Sequence, residues 1–82
     1  MTYEEFVEVA EYYRFKNKLS VVAMARAVDM HWITYTQAFK NRIKKVRLES
    51  IQKIALYLIE HDTPVDSIEY DGMIVLFPQK KE

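Results

Sequence analysis

Eighty-two residues, half of them hydrophobic and with one glycine and two prolines, describe one ordered domain whose core lies near the lower limit for folding alone; a second domain and a disordered chain are excluded. The absence of cysteine removes disulfides, thiolate zinc sites and cysteine nucleophiles, so stability has to come from packing. A formal charge of zero at pH 7 means that any attraction for a polyanion must come from one face and not from the molecule as a whole.

Thr2 and Glu5 have the spacing of a capping box, and Phe6, Val7, Ala10 and Tyr13 recur at helical intervals, predicting a first helix that runs to about residue 16. Ser20 is a natural N-cap for a short second helix in "VVAMARAVD". The third segment, "WITYTQAFK", is rich in β-branched and aromatic residues, and its periodicity leaves helix and strand both open. "RLESIQKIALYLIEH" is the clearest helix, with Leu48, Ile51, Ile54, Ala55 and Leu58 on one face. Beyond residue 60, Asp62, Pro64 and Asp66 interrupt helix, and Asp71-Gly72 between apolar runs predicts a hairpin with a type I′ turn, which needs positive φ at both central residues. The second arm, "MIVLF", does not alternate, so both of its faces should be covered, and pairing with a second copy through Met73, Ile74, Val75, Leu76 and Phe77 is expected. Lys80, Lys81 and Glu82 read as a solvated tail.

The charge is segregated along the chain. Residues 1–13 carry four glutamates and no cation; residues 14–53 carry ten cations against Asp29 and Glu49, a net +8; residues 54–82 return to −4. Either the middle block is merely solvated or the fold gathers it into a face that draws a polyanion.

Two short helices joined by a tight turn, with a longer helix before and another after, have the layout of a helix-turn-helix. "LSVVAMARAVDMHWITYTQAFKNR" followed by "VRLESIQKIALYL" resembles the helix-turn-helix domain of the phage repressor and Cro family over residues about 4 to 60. Met24, Ala25, Val28, Met30, Tyr35 and Ala38 stand at its packing positions, with Ala25 as the small residue at the helix crossing. Thr34 stands where the family often has Ser or Thr, and Asn41 where a glycine usually ends the second helix in the left-handed conformation. The sequence departs from the family at Asp29, in place of the turn glycine, and at Val21, which cannot donate to phosphate.

The resemblance implies a mainly α fold: a four- to five-helix bundle containing a helix-turn-helix, with a short C-terminal β-hairpin or strand. Residues 1–62 would form the DNA-binding unit and 63–82 a dimerisation element of the same domain. It further implies a recognition helix over about 31–40 that presents His31, Trp32, Ile33 and Gln37 to base edges. Of these, only Gln37 is a conventional bidentate reader. Thr36, Lys40, Arg42, Lys44, Lys45 and Arg47 would hold phosphates, which supply affinity without direct sequence information. The expected partner is double-stranded DNA, bound by a homodimer acting as a sequence-specific regulator. A rival use of the same scaffold is a protein-binding inhibitor or antitoxin-like module that anchors a partner on Trp32 and Ile33.

Other chemistry is not indicated. His31 and His61 lie thirty residues apart without matched ligands, so His31 reads as exposed surface and His61 as a residue at a helix C-terminus. Ser20, Ser50 and Ser67 have no base and acid at recognisable spacing, and one glycine leaves no phosphate-cradling loop. No enzyme activity, metal or cofactor is expected. The longest apolar run, residues 54–59, is too short to span a membrane, and the acidic N-terminus lacks a signal-peptide pattern, so a cytoplasmic location is expected.

Overall fold

The computed structural model describes residues 1–79; the reading of Lys80, Lys81 and Glu82 as a tail falls outside them. Four helices and a C-terminal antiparallel hairpin follow one another as α1 (Tyr3–Lys16), α2 (Val21–Ala27), α3 (Trp32–Tyr35) with a π-helical turn continuing it (Thr36–Lys40), α4 (Leu48–Glu60), β1 (Ser67–Tyr70) and β2 (Met73–Leu76). The fold is mainly α, as expected. No described helix is long and apolar enough to cross a membrane.

Local chemistry sets most of the helix ends. Thr2 Oγ1 accepts from Glu5 N–H and the Glu5 carboxylate accepts from Thr2 N–H, completing the capping box; the Thr2 backbone N–H, followed by the Thr2 hydroxyl, holds the Glu5 carboxyl below its ordinary pKa. Ser20 caps α2 through Ala23 N–H. At their C-termini α1, α2 and α4 share one geometry. Lys18, Asp29 and Asp62 take positive φ just past each helix, and the amide of each and the amide after it reach back into the last turn, as Asp29 N to Arg26 O and Met30 N to Ala25 O do after α2. His61 stands at the C-terminal end of α4, where it stacks on Tyr57.

The third segment resolves as helix. His31 Nδ1 accepts from Ile33 N–H to start it, and the Thr36 hydroxyl donates back to Trp32 O. The regular helix lasts one turn before widening: Asn41 N–H bonds to Thr36 O, five residues back. Ile33, Thr34 and Thr36 lower helix propensity there. Tyr35 and Phe39 stack with ring centroids 4.5 Å apart, both buried. One expectation is corrected at the end of this segment. Asn41 keeps helical φ, and Arg42 takes the left-handed conformation instead, because the π turn delays the end of the helix by one residue.

The core unites all elements. Phe6, Val7, Ala10 and Tyr13 of α1 meet Met24 and Ala25 of α2, Tyr35, Ala38 and Phe39 of the third segment, and Ile51, Ile54, Ala55 and Leu58 of α4. Val65, Ile68 and Phe77 join them, so the hairpin belongs to the same core as the helices. Phe77 is thereby taken up by its own chain and not left for a partner.

The hairpin pairs Ser67 with Leu76, Ile68 with Val75, Glu69 with Ile74 and Tyr70 with Met73 around Asp71 and Gly72, both at positive φ as a type I′ turn requires. Its two faces differ. Ile68 and Val75 turn inward, whereas Ile74 and Leu76 are 69% and 77% exposed. The coverage of both faces inferred from "MIVLF" does not occur among the described residues, where no helix lies over the outer face and Ile74 and Leu76 stay exposed.

Candidate nucleic-acid interface

The placement of the third segment depends on a polar anchor. Tyr35 is fully buried and its hydroxyl donates to Glu11 Oε2 at 2.7 Å. Glu11 also forms a two-point ion pair with Arg14, at 2.7 and 3.1 Å, and Arg14 Nη1 donates to Leu19 O. The side chains of Arg14 and Glu11 are only 8% and 13% exposed. α1 therefore holds the third segment and the loop before α2 through one largely buried network. Burial, reinforced by the bond to Glu11, raises the Tyr35 pKa well above that of a free phenol and keeps the hydroxyl a donor.

Outward from this anchor lie the residues expected to face bases. Trp32 and Ile33 are 49% and 44% exposed, and His31, which stacks on Trp32, is exposed as well. His31 has a local duty that its sequence position did not suggest, as the cap of α3. Gln37 is half-buried and lines an open cleft of about 350 Å³ with Thr34, Lys44, Lys45, Arg47 and Ser50. Thr36 is engaged by its bond to Trp32 O and lines none of the described clefts that hold the cations. Lys40 is exposed but lies outside both clefts.

The loop between the third segment and α4 carries the cations. Gln37 O accepts from both Ile43 N–H and Lys44 N–H, closing the chain back over the helix end. Val46 is buried and both its backbone groups are held by tyrosines: its N–H donates to Tyr3 Oη at 3.1 Å, and its carbonyl accepts from Tyr70 Oη at 2.7 Å. The loop is thus fixed between the start of α1 and the end of β1. Arg42, Ile43, Lys44 and Lys45 line a second cleft of about 310 Å³ with Tyr3, Glu4, Val7 and Ala38. Arg42, Lys44 and Arg47 are exposed and make no ion pair among the described residues. Arg47 precedes α4 without a side-chain cap, so the first amides of that helix have no side-chain acceptor.

Lys45 differs from its neighbours. Its ammonium forms an ion pair with Asp71 at 2.7 Å and lies over the rings of Tyr70 and Tyr3, at 4.4 and 5.1 Å. The bond to Asp71 raises its pKa. Two further sets of residues went unrecognised in the sequence: the tyrosines that clamp Val46 and the Glu11–Arg14–Tyr35 network. The i, i+3 spacing of Glu11 and Arg14 beside the apolar stripe of α1 was the available signal for the second.

Among the described residues no group of three or more His, Asp or Glu side chains is placed to hold a metal. No family model, curated protein or solved structure matches the chain.

Proposed function

We propose that the protein is a sequence-specific, double-stranded DNA-binding regulator of the repressor and Cro type, in which α2, the turn at Asp29 and the third segment form a helix-turn-helix. The observation that carries this reading is the cleft where Gln37, a side chain able to read adenine, shares its walls with Lys44 and Arg47. A base reader beside unpaired cations, on a loop whose backbone is clamped in place, is the combination that a specific duplex contact requires. Arg42, Lys44 and Arg47 hold phosphates, Gln37 reads sequence, and Trp32 and Ile33 press on apolar base edges. Lys45 is left out of this set because Asp71 already neutralises it.

The functional unit in this reading is a symmetric dimer that places two recognition helices in successive major grooves, about 34 Å apart. Met73, Ile74, Val75 and Leu76 supply the contact through the open edge of β2. Phe77 N–H bonds to Asp66 O, so the alternation of the ladder directs the backbone groups of Ile74 and Leu76 away from β1. At the other edge Met1 bonds to Ser67 O and Glu69 N–H and occupies the place of a third strand. Among the described residues only β2 is free to add a strand, and a twofold about Val75 would set Ile74 opposite the Leu76 of the second copy, gathering their exposed side chains into one apolar cluster.

Selection of duplexes from a random pool, followed by titration of variants, tests the assignment. Gln37→Ala is expected to relax sequence preference, whereas Arg42→Ala and Arg47→Ala weaken binding to selected and random duplexes alike and each reduce the salt slope by about 0.9. Equal losses on both kinds of duplex for all three would overturn the division of labour.

A second reading rests on the exposure of Trp32 and Ile33 at the start of α3. In it the domain is a protein-binding inhibitor or antitoxin-like module with these two side chains as its anchor. Trp32→Ala would then cost about 2 kcal/mol or more of affinity for that partner, far more than it costs a duplex held chiefly through phosphates.

A further inference from the structure

Asp71 sits at the tip of the hairpin, 26 residues from the lysine it pairs with, and nothing in the type I′ turn requires a carboxylate there. Asparagine and glycine fit the same positive φ. The Asp71 side chain nevertheless reaches Lys45 Nζ at 2.7 Å, and the ammonium it holds lies over the Tyr70 and Tyr3 rings. The same two tyrosines fix the backbone of Val46 next door, so the lysine starts from an immobile stem. An ordinary surface ion pair is readily exchanged for a better anion. This one has ring faces on the cation and a fixed backbone, which favour the arrangement seen. Glu4 and Glu69 line the clefts on either side of Lys45 and add negative charge to its surroundings.

We infer that Asp71 is a built-in competitor for the polyanion: it holds Lys45 back from phosphate and so limits the affinity of the basic loop. Of the five cations between residues 40 and 47, Lys45 is the one with an ion-pair partner among the described residues. Affinity without direct sequence information grows with each phosphate neutralised. Retaining one cation internally therefore lowers binding to random duplex while leaving the contribution of Gln37 intact. Because Asp71 belongs to the turn of the hairpin, the grip of the loop also depends on where the hairpin lies. The inference rests on the reading of this face as a polyanion site.

The test is a salt series with random-sequence duplex on the full chain, comparing the unaltered protein with Asp71→Asn, Lys45→Met and the double variant. Asp71→Asn is expected to bind roughly five-fold tighter at about 0.1 M salt, with a log–log slope steeper by about 0.9, as one further phosphate contact would give. Asp71→Gly, which the turn also accepts, should show the same gain. Lys45→Met should lose less than Arg42→Ala does, and in its background Asp71→Asn should bring no gain. A gain that persists without Lys45 would mean that removing any negative charge suffices, and would overturn the inference. Binding by the unaltered protein with no gain in Asp71→Asn would overturn it as well, with the polyanion reading intact. No binding by any variant at low salt would defeat that reading and the inference together.

Discussion

Five residues other than glycine occupy the left-handed region: Lys18, Asp29, Arg42, Asp62 and Asp71. Each turn bends where a glycine would be easier, and each side chain costs roughly 1–2 kcal/mol in that conformation. Four of them follow the ends of helical segments and one opens the hairpin turn, so the chain keeps its single glycine, Gly72, for the other turn position. Lys18 is exposed and makes no ion pair among the described residues. Lys18→Gly is therefore expected to stabilise the fold by about 0.5–1 kcal/mol, after allowing for the freedom that glycine adds to the unfolded chain. A thermal melt that moves down would mean that the lysine makes a contribution greater than its backbone cost. Glu11 is the opposite case. Glu11→Gln leaves Arg14 charged and largely buried and takes an ionic acceptor from Tyr35, and should destabilise by about 3 kcal/mol. An unchanged melting temperature would show that solvent already satisfies Arg14.

At the scale of elements, the parts legible in the sequence were those whose cause is local. Thr2 with Glu5, Ser20 before "VVAMARA", the apolar face from Leu48 to Leu58 and the Asp71-Gly72 pair each carry their instruction within a few residues, and each element formed where that instruction lies. The third segment carried conflicting local signals. Its helix is stabilised by the burial of Tyr35 and Phe39 against α1 and by the bond to Glu11, contacts 24 or more residues distant that no periodicity within "WITYTQAFK" reveals. The candidate site divides the same way. The exposed cations were visible as a run, but the fixing of their loop by Tyr3 and Tyr70 and the capture of Lys45 by Asp71 join residues 24 to 43 positions apart. The outer face of β2 yields a prediction at this scale. If two copies pair along that edge, Ile74→Lys puts a charge into the apolar cluster and should leave monomers in sedimentation at concentrations where the unaltered protein is dimeric, with little loss of fold because the side chain is exposed. Equal masses for the two proteins would place the association elsewhere or remove it.

For the molecule as a whole, a net charge of zero coexists with a loop in which Arg42, Lys44 and Arg47 are exposed and make no ion pair among the described residues. Attraction for a polyanion is then a property of one face, screened beyond about 10 Å at 0.1 M salt, and the acidic remainder discourages binding in any other orientation. Trp32, the single tryptophan, lies half-exposed at the start of α3 and reports directly on that face. The decisive measurement is its fluorescence during titration with duplex DNA at several salt concentrations. Binding with a log–log slope of roughly −3 per chain, as Arg42, Lys44 and Arg47 together would give, and with Trp32 shielded from small quenchers in the complex, is the predicted result. No change in the fluorescence at low salt, with Trp32 as open to quenchers as before, would contradict the DNA-binding account and favour a protein partner for the Trp32–Ile33 surface.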